Sequence, residues 1–412
     1  MQGTPEAKMK IILFLHDLAM GGTTVNALEL ATALRDTFDH EVIIFASPGP
    51  MLDLVHRSGL RCILAPKADM HPCMSRVAAL RNALLTERPD LLYVWETWAM
   101  ADAFFATRMS VRVPMLLTDM QMFVGRLIPR YVPATFGTPE LVALAKAKGI
   151  RNVGLLVPPV NLKECRPGAI DTQIARAQMG VAPDEIAVVM VSRLVDSMKG
   201  ESLANSIEAV GQLGSRYPLR LVIVGDGSAR QSLQARADKV NEKLGRRAVS
   251  LYGPLLDPRP AYAAADVVIG MGGSALRGMA FAKPLIVVGE NGFATTLTPS
   301  TANRFLHAGL YGKGDGTGAA DLTAALELLV RSPRLRHELS EFSLDFVRRN
   351  FSLEVVAAQL DNICWSAATS FSSGWRTVVD AVGLAYVYFR ERRFLWRAGP
   401  SEPFVAAANE TA

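Results

Sequence analysis

Two doubly wound α/β domains, followed by a helical extension, are what this sequence predicts. Three observations carry the prediction. Short, fully apolar runs alternate with segments of helical period, the pattern of parallel strands covered on both faces. The alternation comes as two successive series separated by a proline-broken stretch. Several strand ends run into glycine turns that open helices, which is where doubly wound sheets bind ligands.

The first series begins with a strand at 11–15, a turn at Gly21-Gly22 and a helix through 25–34. Strands follow at 41–46, 91–95, 115–117 and 152–157. Pro158, Pro159 and Pro167 then break regular structure, so the boundary is expected near 157–168. The second series has strands at 187–191, 219–224, 249–251, 266–269 and 284–288, and beyond about 319 the chain turns all-helical. The expected domains are therefore 9–160 and 168–350, with 351–412 as a helical extension crossing back onto the first. Within that extension Trp375, Val378, Val379, Val382, Tyr386 and Phe389 share one helical face. That face is expected either to dock on the first domain or to meet an anionic membrane. Arginines 376, 390, 392, 393 and 397 against Asp380 and Glu391 give the second option its charge.

Composition narrows the class. Of 412 residues half are hydrophobic and a fifth charged, which excludes a disordered chain, a collagen and a small disulfide scaffold. Cys62, Cys73, Cys165 and Cys364 form no CxxC and are expected to be reduced thiols without a metal. The net charge of +5 is too mild for a dedicated nucleic-acid binder. The first apolar run is strand-sized and no run of about 18 apolar residues occurs, so neither a secretory leader nor a membrane span is expected. A cytoplasmic protein, with peripheral contact at the inner membrane surface through the tail, is the resulting expectation.

Candidate chemistry sits at the strand ends. Gly21 and Gly22 let backbone approach a ligand, and the following helix offers free N–H groups to an anion; a tight turn explains them equally well. Arg193 and Lys199 flank the first turn of the second domain and suit a diphosphate; solvated surface cations are the competing explanation. Gly225 and Gly227 also permit close approach, with Ser228 as a helix cap. Gly272, Gly273 and a capping Ser274 can aim N–H groups at a phosphate. Glu290 follows a strand at the ligand edge and suits sugar hydroxyls, or is a plain loop acid. His16 ends the first strand at the same kind of edge, whereas His40 and His337 read as surface residues. GxGxxG, GxSxG, Asp-x-Asp and histidine metal spacings are all absent, which disfavours dehydrogenases, serine hydrolases and metal-dependent sugar transfer.

Arg193…Lys199-Gly200, Val224-Gly225-Asp226-Gly227, Tyr252-Gly253-Pro254-Leu255, Tyr262-x-x-Ala265-Asp266 and Met279-Ala280-x-x-Lys283-Pro284 occur in that order. The ordered set resembles the nucleotide-sugar half of glycosyltransferase family 4, retaining enzymes of the GT-B fold. Gly21-Gly22, Pro89-Asp90 and Pro158-Pro159-Val160-Asn161 extend the likeness over roughly 9–360. The resemblance implies two domains facing a cleft, a nucleotide diphospho-sugar on the second and a glycan, lipid-linked or small acceptor on the first. No metal or other cofactor is implied. It assigns the diphosphate to Arg193 and Lys199, the base to the backbone around Leu255, and closure over the phosphates to Gly21 and Gly22. Three departures stand out. Of two glutamates that the family carries eight positions apart, Arg277 replaces the second, which binds the ribose diol, and the loop carrying the first is shortened to 271–274. Some branches share that short loop and a following Gly-Glu-x-Gly-Phe, here Gly289 to Phe293. Trp95-Glu96 stands where the family has a catalytic-site histidine, and the Arg-to-Lys spacing is one residue longer. Arg277 is thus either a further diphosphate ligand or a mark of lost donor binding. A non-catalytic relative, and a nucleotide-sugar epimerase using Glu96 and Glu290, remain alternatives on sequence alone.

Overall fold

The computed structural model describes residues 8–68, 72–108, 111–314, 316–370 and 374–398. The chain divides into two compact units, 1–157 with 357–412, and 158–356. The N-terminal unit is built on a seven-stranded sheet: β1 (Lys10–Asp17), β2 (Glu41–Ser47), β3 (Arg61–Leu64), β4 (Leu91–Trp95), β5 (Met115–Asp119), β6 (Ala134–Phe136) and β7 (Val153–Leu155). Their order is β3-β2-β1-β4-β5-β6-β7, all parallel. The chain winds outward from β1 on one side and returns to β4 on the other. The carboxyl ends of β1 and β4 therefore border the point where strand order reverses. Ile11, Ile12, Leu13, Phe14 and Leu15 are all buried, because a parallel strand has no solvent face.

The C-terminal unit repeats the plan with six strands: β8 (Ile186–Val191), β9 (Leu219–Val224), β10 (Val249–Gly253), β11 (Val267–Gly270), β12 (Leu285–Val288) and β13 (Ala294–Thr296). The order is β10-β9-β8-β11-β12-β13, with only β13 antiparallel. Here the reversal lies between β8 and β11.

Two expectations need correction. His40 is not a surface residue. It is buried, its Nδ1 accepts the Met9 N–H at 3.2 Å, and its Nε2 lies 2.6 Å from Asp361 Oδ1, so it ties the first unit to the helix Leu353–Thr369. The helix Trp375–Ala398 does pack on this unit, but not by its apolar face. Leu384 joins the core with Ala381 beside it, and buried Asp380 accepts the N–H groups of Arg130 (2.7 Å) and Tyr131 (3.3 Å). Trp375, Val378, Val379, Val382, Tyr386 and Phe389 are exposed. Side chains from 391 onward lie outside the described residues, so Arg392, Arg393 and Arg397 are known only from the sequence.

Candidate functional site

β8 and β11 pair through Val188 with Val267 and Val189 with Val268, which brings Ser192-Arg193 level with the turn after Gly270. Leu194 is buried and anchors that turn, leaving its neighbour Arg193 exposed at the sheet edge. A single wide turn, Asp196–Gly200, then brings Lys199 back toward it. The Lys199 ammonium is held below its usual pKa, first by burial and then by the charge of Arg193. Among the described residues neither cation has an acidic partner in ion-pair range. Two converging cations left unpaired repel each other until an anion neutralises both.

The glycines of the β9 turn serve the protein itself. At Gly225 (φ +146°) a Cβ would lie 1.8 Å from the Ser192 carbonyl oxygen, and at Gly227 (φ +154°) 2.2 Å from that of Leu194. The two turns are stitched by Ser192 N–H to Val224 O, Leu194 N–H to Asp226 O and Ala229 N–H to Leu194 O. Gly225 and Gly227 thus fix the turn that presents Arg193. Ser228 does not cap the next helix: Arg230–Leu244 starts after Ala229, with no side-chain cap.

The third turn is open. Gly272 (φ +54°) precedes the helix Gly273–Ala280, whose N-terminus has no side-chain cap, and a Cβ on Gly272 would meet nothing within 4 Å. Ser274 is not the cap either. It lies inside the helix, and its Oγ donates to Met271 O (2.9 Å) and accepts from Met271 N–H (3.3 Å). Arg277 stands one turn into the helix and reaches back to Gly273 O at 3.4 Å. Two acids at the same sheet edge, Asp226 and Glu290, are engaged elsewhere. Asp226 accepts the Gly227 N–H and lies 3.9 Å from Arg230, and Glu290 is bonded to the Tyr311 hydroxyl. Among the described residues Arg277 is therefore a third cation without an acidic partner. Glu290 follows β12, next to β11. Its turn is held by Gly316 N–H to Asn291 O and Gly318 N–H to Gly292 O, with Gly289 packed directly against Gly312. Leu255 is half-buried after β10, beside a fully exposed Leu256.

Other residues of the family-like pattern are structural. Tyr262 is buried and stacks on Phe281, Asp266 binds Arg176 and the Ala187 N–H, and half-buried Lys283 donates to Ala263 O.

In the N-terminal unit, Gly21 caps the helix Gly22–Phe38 without a side-chain bond, and a Cβ at Gly21 or Gly22 would meet open space. Beside that turn, at the ends of β1, β4 and β5, lies a group that sequence reasoning saw only in part. Buried Arg76 donates to His16 Nδ1 (3.2 Å), Ser47 Oγ (2.7 Å) and Pro66 O (3.1 Å). Glu96 sits at φ +68°, an unfavourable backbone for a residue with a side chain, and bonds Thr23 of the glycine turn. Burial, with Asp119 and Asp17 nearby, pushes its carboxyl up to about 7. Asp119, bonded by the Thr97 hydroxyl and the Gln121 N–H, is pushed by burial to about 6. Asp119 and Arg76 carry no sequence signal. One ends a strand like any polar terminus, and the other lies in a helix where arginine usually meets water.

The raised Glu96 pKa has a definite sign. Between about 4.5 and 7 the folded form keeps a proton that the unfolded chain has released, so stability falls as pH rises through this window. Glu96→Gln is expected to melt above the parent at pH 8 by at most roughly 3 kcal/mol, with the gain gone below about pH 4.5. Thermal melts of both proteins from pH 4 to 8 check this; a gain independent of pH overturns it.

Part of the C-terminal unit is similar to a known family. Residues 185–327 match the family described as Glycosyl transferases group 1. A curated relative, D-inositol 3-phosphate glycosyltransferase of Rhodococcus erythropolis, is 28% identical over 276 residues, covering 63% of this chain and 58% of the relative. The aligned part thus spans a little over half of that relative's length. Among solved structures, a glycosyltransferase from Rickettsia africae matches with a TM-score of 0.71 at 16% identity, over 87% of this chain and 98% of the other. Anabaena HepE in complex with UDP and glucose matches with 0.69 at 15%, over 87% and 100%. Sucrose-phosphate synthase of Thermosynechococcus elongatus matches with 0.68 at 17%, over 87% and 98%. These likenesses establish the fold, two Rossmann-like sheets of the GT-B kind.

Proposed function

We propose that this protein is a retaining glycosyltransferase that moves a sugar from a nucleotide diphospho-sugar to a glycan, lipid-linked or small-molecule acceptor. The reading rests on one observation above all. Arg193, Lys199 and Arg277, three cations without acidic partners among the described residues, are carried by the turn after β8 and the first turn of the helix after β11, which leave adjacent strands at the reversal point of the C-terminal sheet. A diphosphate supplies the charge they lack. In this reading the uncapped N–H groups at Gly273 and Ser274 add to the cradle, the Gly272 N–H being already given to the Leu310 carbonyl at 2.6 Å. The base lies along the backbone at Leu255, Glu290 accepts from donor-sugar hydroxyls, and the acceptor takes the Gly21-Gly22 side of the other unit. The family of residues 185–327 supports a sugar transfer, and the UDP bound in the Anabaena relative supports this class of donor.

The chemistry needs no nucleophile or metal from the protein. The sugar C1–O bond breaks and its electron pair passes to the leaving diphosphate. The acceptor oxygen bonds C1 from the same face, and its proton goes to the departing phosphate oxygen. What the chain supplies is position and fixed positive charge where negative charge develops. A thermal-shift screen of nucleoside diphosphates, followed by donor-consumption assays, tests the reading. A stabilising diphosphate and a consumed donor are expected. Binding without turnover for any acceptor would leave a non-catalytic binder, and no binding at all would remove the donor site.

Arg277 separates these outcomes further. As a phosphate ligand, Arg277→Glu loses a cation and adds a repelling charge, so calorimetry should record at least about tenfold weaker binding of the nucleoside diphosphate. Unchanged or tighter binding would strip Arg277 of this role.

A further inference from the structure

The helix Trp375–Ala398 is docked along one side and apolar along the other. At 3.6 residues per turn, Asp380, Ala381 and Leu384 fall on the docked side, where they meet the N-terminal unit. Trp375, Val378, Val379, Val382, Tyr386 and Phe389 fall on the opposite side, and each is 37–67% exposed. Six large apolar side chains in one continuous strip is more than scattered surface hydrophobics produce, and marks a surface that is covered in use. No helix among the described residues is long and apolar enough to cross a membrane.

We propose that this face lies on the surface of an anionic lipid bilayer. Charge selects that occupant. Among the described residues the charged side chains on the exposed side are Arg376 and Arg390, both cationic. The whole helix carries five arginines against Asp380 and Glu391, and Asp380 is spent inside the protein on two backbone N–H groups. Arg376 lies over the rings of Tyr131 (5.5 Å) and Trp375 (5.9 Å), and Arg390 over Tyr386 (6.0 Å). Each cation is thus held at the edge of an aromatic side chain. That is the arrangement of a helix lying in a bilayer interface, with rings at headgroup depth and guanidinium groups among lipid phosphates. A second copy fits poorly, since two-fold pairing of this face sets a cationic strip against itself.

The proposal stands on the helix alone and not on the transferase reading, and its test reads binding, not turnover. The full chain is sedimented with vesicles of phosphatidylcholine alone and of phosphatidylcholine with phosphatidylglycerol, across a salt series. Pelleting with the anionic vesicles only, weakening as salt rises, is expected. Val382→Glu combined with Tyr386→Glu should cut that binding at least about tenfold, and so should Arg376→Gln combined with Arg390→Gln. All four positions are exposed, so melting temperatures should hold, and the arginine pair stands as the independent test should the glutamate pair disturb folding. Absence of pelleting, or equal pelleting of parent and variants, overturns the proposal. So does a concentration-dependent dimer that the glutamate pair abolishes while vesicles capture nothing, which would give the face to a second copy.

Discussion

Replacing Arg193 or Lys199 by alanine is expected to lower kcat/KM for sugar transfer by about 10²–10³, or about 2.7–4 kcal/mol, the range seen when one preorganised group facing developing negative charge is removed. The structure explains why stability should move little. Arg193 is exposed, and Lys199 sits close to a like charge. Removing either side chain breaks no ion pair among the described residues. For Lys199 it relieves a burial cost, so Lys199→Ala should melt no lower than the parent while its transfer rate collapses. A lysine at 193 should recover only part of the rate, because a point charge replaces a forked donor. Steady-state kinetics beside thermal melts check both halves. Unchanged kcat/KM in both alanine variants overturns the assignment of these two cations to the donor phosphates.

Gly225→Ala should act in the opposite way, through the fold. The added methyl would stand 1.8 Å from the Ser192 carbonyl oxygen at a φ of +146°, and backbone cannot yield as a flexible side chain can. Strain of this kind costs about 1–3 kcal/mol for the dihedral alone, and the clash adds to it, so a loss of about 3 kcal/mol or more is expected in chemical denaturation. The β8 turn should loosen with it, and diphosphate binding should fall although no ligand-facing group has changed. Gly272→Ala is the informative contrast. It shares the positive φ but meets no atom within 4 Å, so it should keep most of the stability and instead obstruct whatever approaches the helix N-terminus. Parent-like stability in Gly225→Ala overturns this account of the turn.

The strands legible in the sequence are those buried on both faces, such as β1, β9 and β12, whose apolar runs have no competing explanation. β3, β6 and β13 were not legible. β3 is a sheet edge with half-exposed residues, and the other two, Ala134–Phe136 and Ala294–Thr296, are three-residue strands holding threonines, with no apolar run such as the one that reveals the equally short β7. The serines show the limit of local reasoning about the site. Ser228 and Ser274 stand where caps belong, yet each helix begins one or two residues away from the place composition suggests, and Ser274 turns instead to Met271. The glycines of the β9 turn carry the same lesson. A glycine that admits a ligand and one that admits a neighbouring turn look alike in sequence, and only the position of the Ser192 oxygen distinguishes them. The last helix misled for a physical reason too. Amphipathic helices usually hide their apolar face, and nothing in its spacing says that Asp380 is the residue that goes inside.

The path of the chain through its two units has a consequence for the order in which the molecule is made. The unit spanning 158–356 is continuous and can close as soon as it leaves the ribosome. The first unit cannot: His40 awaits Asp361, and its core awaits Leu384. At synthesis rates of about 5–20 residues per second, residue 357 follows residue 157 by roughly 10–40 s. For that interval the earliest-made sheet is finished in sequence but open along the flank that the C-terminal helices will cover, so the half synthesised first is completed last.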